Sequence, residues 1–440
     1  MSGIAVGILA FVVVLGLLAL RVHIGVGMFI GGILCYLIIY NGDTNALLFT
    51  LNKLTYARFS DYDLAVIPLF LLMGQFAIHG GLSRALFRAA SAFIGHWRGG
   101  LTMAATGACA GFGAICGSSL ATAATMSQVA LPELEKYDYP KRLAAGTIAA
   151  SGTLGILIPP SVPLIVYAVL VQASIGKLFV AAVIPGIIAT LGYCIVIRIM
   201  AGRSMRHLPK AAKADWGTRF ASLLEVSPVV VVFVIVIYGI YGGWANLTEA
   251  ASIGAAACGL YAVFRGGMRG EGLYKSLRGT AETTAMIYLI VIGADLLNSG
   301  LALTRMPVEL ATWVQASGFA PMTVLVTILL IYLVLGCVMD SLSMIFLTIP
   351  IFYPIVVGLP FAGLSHEEIT LWFGIIALMV VEIGLITPPI GMNLFIVQKF
   401  SGISLAQVGR GIVPFLVADL FRITLLVLFP ILSLVLVATN

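Results

Sequence analysis

Gly155-Ile-Leu-Ile-Pro-Pro-Ser161 and Gly384-Leu-Ile-Thr-Pro-Pro-Ile390 are near copies of one another, and each sets two adjacent prolines into otherwise membrane-like sequence. Proline lacks a backbone N–H and its ring clashes with the preceding turn, so a helix crossing lipid is interrupted at both places. The carbonyls released there need partners, because lipid offers none. Two such breaks in corresponding positions point to the binding site of a transporter.

Outward from these motifs the chain is apolar almost throughout. Of 440 residues, 61% are hydrophobic and 10% charged, and the mean hydropathy is +1.11. A soluble domain of this length is excluded by that composition. Apolar runs at residues 4–20, 24–40, 227–242, 248–264, 323–338 and 418–438 each approach the length that spans hydrocarbon as a helix. They do not alternate polar with apolar, so a transmembrane β-barrel is excluded as well. The expected class is an all-α polytopic membrane protein.

The net charge of +6 does not call for a nucleic acid. The basic residues fall in short polar gaps between apolar runs, densest at Arg198, Arg203, Arg206, Lys210, Lys213 and Arg219 and again at Arg265, Arg269, Lys275 and Arg278. Positive-inside loops explain them, and both stretches are expected in the cytoplasm. No Lys or Arg precedes the first apolar run, whereas Arg21 follows it, so the N-terminus is expected outside. The first run lacks the basic flank and cleavage site of a signal peptide and is read as a mature helix. Six single cysteines and five scattered histidines, His207 among them, form no metal-ligand or disulfide spacing. Trp97, Trp216, Trp244, Trp313 and Trp372 lie near the ends of apolar runs and are read as interfacial anchors. No GxxxxGK[ST] loop occurs, so the chain is not expected to hydrolyse ATP. Nothing supports a Ser/His/Asp hydrolase, and the chain is not expected to be an enzyme.

The proline motifs belong to a longer repeat. Pro159 matches Pro388 and Pro185 matches Pro414 at a separation of 229; Ser119-Leu120 matches Ser341-Leu342 and Pro132 matches Pro354 at 222; Gly74 matches Gly293 and Leu82 matches Leu301 at 219. An ordered series whose spacing grows by small steps is what duplication followed by loop insertion leaves. The halves divide in the basic loop, giving residues 1–215 and 216–440. A first half that starts outside and ends in the cytoplasm crosses an odd number of times, so the second half is expected inverted, a common plan of secondary transporters.

Polar and small residues gather at Gly111 to Thr122 and Gly155 to Pro163 in the first half, and at Gly336 to Ser343 and Gly384 to Asn393 in the second. Glycines let the backbone unwind, and hydroxyls with freed carbonyls are hard oxygen ligands that suit a desolvated Na⁺. Helix N-termini at the same breaks favour an anionic substrate. Asp340 stands between two apolar runs, where a carboxylate is costly and functional by default, and its repeat partner is Ser118. Glu382 is a second acidic candidate, open between function and a structural ion pair with an arginine on a neighbouring helix. Residues 41–63 and 265–280 occupy similar places in the two halves and are expected to be amphipathic arms along the membrane surface.

Gly117-Ser-Ser119, the two Pro-Pro motifs, the Ser174-Ile-Gly-Lys-Leu-Phe179 to Pro185-Gly186 segment and Gly384 to Asn393 together resemble the large membrane subunit of tripartite ATP-independent periplasmic (TRAP) transporters, over essentially the whole chain. The chain departs at Met339, where many members carry Gly before the acidic residue. The resemblance implies an elevator-type Na⁺ symporter with a scaffold and a mobile transport domain bearing two re-entrant hairpins. It implies two Na⁺ sites, one formed by Ser118, Ser119 and the backbone around Gly155, Ile158 and Pro160, the other by Asp340, Ser341 and the backbone around Gly384, Thr387 and Pro389. Substrate would lie near Thr122, Ser161 and Asn393. The implied partners are a periplasmic binding protein that delivers a small carboxylate, such as a C4-dicarboxylate or a sugar acid like sialic acid, and a small four-helix membrane subunit. No such segment precedes residue 1, so that subunit is expected as a separate chain, in a bacterial inner membrane with both termini periplasmic. A stand-alone Na⁺- or H⁺-coupled carboxylate exchanger of related fold is the alternative.

Overall fold

The computed structural model describes residues 2–60, 62–203, 210–241, 245–361, 363–389 and 391–438. Arg206, His207, Trp244 and Ile390, singled out above, lie outside the described residues. Among the described residues the regular structure is helical, without a strand. The first half carries α1 (Gly3–Ala19), α2 (Ile24–Ile39), α3 (Asn45–Phe59), α4 (Val66–His79), α5 (Leu82–Ile94), α6 (Gly100–Cys116), α7 (Ser119–Lys136), α8 (Lys141–Gly152), the single turn α9 (Leu154–Leu157), α10 (Val162–Val171) and α11 (Ile175–Arg203). The second carries α12 (Trp216–Tyr241), α13 (Leu247–Phe264), α14 (Gly270–Thr304), α15 (Met306–Ala316), α16 (Pro321–Gly336), α17 (Ser341–Val357), α18 (His366–Ile386), α19 (Met392–Ser401), α20 (Leu405–Leu428) and α21 (Ile431–Ala438). Among the described residues α11, α13, α14, α18 and α20 are long and apolar enough to cross a membrane, and the bent pairs α4 with α5 (66°) and α8–α9 with α10 (41°) reach that length and apolarity together.

Helix ends follow local chemistry. Asn246 with Glu249, Ser365 with Glu368 and Ser404 with Gln407 each form a reciprocal capping box that starts α13, α18 and α20. The apolar run 418–438 is divided at Phe429-Pro430, where α20 stops and α21 begins. The matched prolines Pro132 and Pro354 both lie inside α7 and α17, and Pro185 and Pro414 inside α11 and α20. The Leu82–Leu301 pairing falls on different elements, the start of α5 and the end of α14. The two arms also differ. In the first half α3 is a separate, mostly exposed helix; in the second, the arm is continuous with the spanning part of the 35-residue α14, because residues 270–304 contain no proline or cap to stop the helix.

Helices from both halves interlock. α2 packs along α14, α4 packs on α13 and α14, and α1 packs on α2. Arg58 of α3 clasps Asp295 of α14 with hydrogen bonds of 2.5 and 3.0 Å, holding the arm against an acidic residue inside an otherwise apolar stretch. α9, α10, α11, α16, α17, α19, α20 and α21 pack around α18, in which every residue from Ile369 to Ile386 is buried. A helix apolar on all sides is one enclosed by protein. Trp372 shares that burial and donates its indole N–H to the Leu426 carbonyl at 2.9 Å, so it is a core residue and not the interfacial anchor its sequence position predicts. Trp97, Trp216 and Trp313 are exposed.

Candidate functional site

Each Pro-Pro motif breaks a helix at a point that faces the turn of the preceding helical hairpin. In the first half α6 ends at Gly117, which takes a left-handed backbone (φ 61°), and Ser118 turns extended to cap α7, its Oγ accepting from the Ala121 N–H at 3.4 Å. Opposite, α9 stops at Ile158 in extended conformation (φ −87°, ψ 120°), Pro159 and Pro160 donate nothing, and Ser161 caps α10 by accepting from the Leu164 N–H. The Val162 N–H donates to the Gly117 carbonyl at 3.4 Å and ties the two together.

The second half repeats this. α16 ends at Gly336, and Asp340 caps α17 by accepting from the Ser343 N–H at 3.1 Å and from the Ser343 hydroxyl. α18 stops at Thr387, extended at φ −89° and ψ 127°, and Pro388-Pro389 follows. The Gly391 N–H donates to the Cys337 carbonyl at 3.2 Å, the counterpart of the first bridge.

Glycines set the depth of both contacts. A β-carbon on Gly113 would lie 2.5 Å from the Gly155 Cα, and one on Gly384 would lie 2.5 Å from the Gly336 Cα. Backbone therefore meets backbone just before each break, which only residues without side chains allow.

This geometry brings together Ser118, Thr122, Gly155, Pro160 and Ser161: a β-carbon on Gly155 would touch the Thr122 Oγ1 at 2.6 Å and the Ser118 carbonyl oxygen at 2.9 Å, and one on Gly117 would meet the Pro160 carbonyl oxygen at 3.0 Å. The Ile158 side chain is turned toward Gly186 of α11. In the second half Gly384 lies against Gly336, and the Thr387 hydroxyl donates to the Ile383 carbonyl at 2.6 Å. Ser341 opens α17 beside Asp340, and Pro388 and Pro389 are exposed where Pro159 and Pro160 are buried. The halves then cross: α10 packs on α17, and α19, which carries Asn393, packs on α7, which carries Thr122. Ser119 Oγ, Thr122 Oγ1 and both amide atoms of Asn393 are buried without a protein hydrogen-bond partner. Buried polar atoms left open in this way call for a polar ligand or water.

Glu382 belongs to a buried polar group whose other members stand out in the sequence only through the repeat. Arg422 of α20 lies 2.9 Å from the Asp419 carboxylate, an ion pair by distance, though not aligned as a hydrogen bond, with both side chains almost wholly buried. The Tyr193 hydroxyl donates to Asp419 at 2.8 Å and lies 3.3 Å from the Thr153 hydroxyl. Glu382 is buried with one carboxylate oxygen unpartnered, and Arg422 and Asp419 are the charged groups acting on it. Thr153 and Glu382, and likewise Tyr193 and Arg422, are separated by 229, the spacing of the prolines. That register is the signal by which sequence alone finds them. Two residues on from Thr153 and Glu382 stand Gly155 and Gly384, so this group underlies both breaks.

An all-helical polytopic membrane protein with two broken helices facing helical hairpins has the architecture of a membrane transporter. Its fold is similar to that of the YdaH transporter of Alcanivorax borkumensis, at a TM-score of 0.62 over 88% of each chain and 15% sequence identity. The chain belongs to the family described as the tripartite ATP-independent periplasmic transporter, DctM component, which matches residues 11–432. Among its relatives are the C4-dicarboxylate TRAP transporter large permease protein DctM of Pseudomonas aeruginosa, 36% identical over 85% of this chain and 86% of that one, and the sialic acid TRAP transporter large permease protein SiaM of Vibrio cholerae, 31% identical over 84% and 85%. The ectoine TRAP transporter large permease protein TeaC of Halomonas elongata is 30% identical over 83% and 84%.

Proposed function

We propose that this chain is the subunit of a TRAP transporter that carries a small carboxylate, a C4-dicarboxylate or a sugar acid such as sialic acid, inward across a bacterial inner membrane together with Na⁺. The observation that carries the proposal is the reciprocal crossing of the broken helices, α10 on α17 and α19 on α7, around buried polar atoms without protein partners. In this reading residues 1–215 and 216–440 are inverted repeats, α6–α7 and α16–α17 are the two re-entrant hairpins, and the body around α18 moves as an elevator against the α2–α4–α13–α14 scaffold.

The donors around each break are hydroxyl, carbonyl and carboxylate oxygens, the hard set that suits Na⁺. Ser118, Ser119 and the backbone at Gly155, Ile158 and Pro160 would hold one ion, and Asp340, Ser341 and the backbone at Gly384, Thr387 and Pro389 the other. Bound there, Na⁺ supplies positive charge beside an anionic substrate. Thr122, Ser161 and Asn393 offer hydroxyl and amide groups to that substrate. A periplasmic binding protein delivers it, and a small four-helix membrane subunit is the third component; the names of the relatives support both substrate classes.

Uptake into proteoliposomes containing this chain and its small subunit tests the proposal. Labelled succinate or sialic acid should accumulate only with an inward Na⁺ gradient and a cognate binding protein. Accumulation without any binding protein would identify a stand-alone exchanger instead, and uptake indifferent to Na⁺ would remove the coupling.

A further inference from the structure

A crevice of about 720 Å³ opens between α5, α12 and α13, away from the helix breaks. Arg84 and Arg88, one turn apart on α5, form one wall, and Arg265 at the end of α13 forms another. Glu225 of α12 is the acidic residue of the lining, 3.6 Å from Arg88, with both side chains about half exposed. A pair so long and so exposed is weak and leaves the guanidinium free to bind elsewhere. Among the described residues neither Arg84 nor Arg265 has a carboxylate within ion-pair reach. The crevice therefore carries net positive charge.

Its floor is backbone. A β-carbon on Gly266 would lie 2.6 Å from the Gly80 carbonyl oxygen, so the α4–α5 turn and the end of α13 touch with no side chain between them. Two features then choose among anions. α5 is amphipathic, burying Leu82, Phe87 and Ala89 and turning Arg84 and Arg88 outward, as a helix at a membrane interface does. Beside the arginines the surface becomes apolar: Leu224, a lining residue, is 73% exposed, Phe264 next to Arg265 is 79% exposed, and Leu260, Val231 and Val234 continue the exposed strip along the packed helices α12 and α13. A soluble anion has no use for that strip.

We infer that this crevice binds the phosphate of an acidic glycerophospholipid, with Arg84, Arg88 and Arg265 on the phosphate and the acyl chains along α12 and α13. The inference needs only that these helices lie in a membrane, and it is tested without transport. The full-length chain in neutral detergent is titrated with phosphatidylglycerol, phosphatidylcholine or inorganic phosphate, and bound ligand is counted by native mass spectrometry. The wild type should retain phosphatidylglycerol in preference to phosphatidylcholine. Arg84→Gln/Arg88→Gln/Arg265→Gln should lower that retention by on the order of tenfold or more, since each arginine near a lipid surface contributes attraction. Lys275→Gln/Arg278→Gln, which removes charge from the neighbouring α14, should not. Single Arg84→Gln and Arg265→Gln variants should give graded losses, which keeps the test intact if the triple variant does not purify. An equal loss in the α14 variant, no lipid preference in the wild type, or inorganic phosphate binding as well as phosphatidylglycerol would each overturn the assignment.

Discussion

Asp340 and Ser118 occupy the same structural position, the N-cap of the second helix of a hairpin, and both satisfy it with a side-chain oxygen. The cap alone does not need a charge, because Asn serves as well as Asp in that role. Asp340→Asn therefore leaves α17 started and isolates the charge; it should raise the Na⁺ concentration for half-maximal uptake several-fold while the protein inserts and assembles. Ser118→Ala deletes both a cap and a neutral oxygen, so it should cost about 1 kcal/mol in stability and shift Na⁺ dependence less. Uptake measured against Na⁺ concentration checks both, and wild-type dependence in Asp340→Asn would reduce the carboxylate to a cap. Asp340 stands out in sequence because charge is rare in apolar runs. Thr387 does not, and its hydroxyl is already engaged with the Ile383 carbonyl, so toward an ion it offers lone pairs and backbone only.

Among the elements, the buried group that joins α11, α18 and α20 is the most exposed to mutation. Arg422 pairs with Asp419 and is the positive charge acting on Glu382, in a site almost closed to water. Arg422→Met leaves both without a counter-charge, and removal of one partner of a buried ion pair typically costs about 3–5 kcal/mol. The thermal midpoint in detergent should fall accordingly and recover in part in Arg422→Met/Asp419→Leu/Glu382→Gln. No loss in the single variant would mean that Glu382 and Asp419 do not depend on Arg422. The Pro-Pro breaks give a complementary prediction: replacing Pro388-Pro389 with Ala-Ala restores two backbone donors to the end of α18. That variant should insert normally yet lose Na⁺ activation, and unchanged Na⁺ dependence would leave the prolines a packing role. Both elements were legible from the register of 229, but only the prolines announce themselves, since proline acts on its own backbone whereas Glu382, Tyr193 and Arg422 act across space.

For the whole molecule, the charge distribution sets an orientation that labelling can read. In a cysteine-free background, Ser2→Cys should react with an impermeant thiol reagent in intact spheroplasts and Ala212→Cys, in the basic loop, should not; the reverse pattern would invert the chain in the membrane. The sequence by itself determined the membrane class, the helical composition and the positions of the two breaks, because hydropathy sums over neighbours in the chain and proline's missing donor is covalent. It also marked the paired caps, Ser118 and Asp340, through a repeat that needs no coordinates. Tertiary structure alone decided which apolar faces meet protein: α18 and Trp372 lie inside, whereas α12 and α13 expose Leu224 and Phe264. Protein interior and lipid are nearly equivalent apolar solvents, so composition does not tell these faces apart. The crossing of α10 with α17 and α19 with α7 joins segments far apart in the chain, whose pairing no local pattern names.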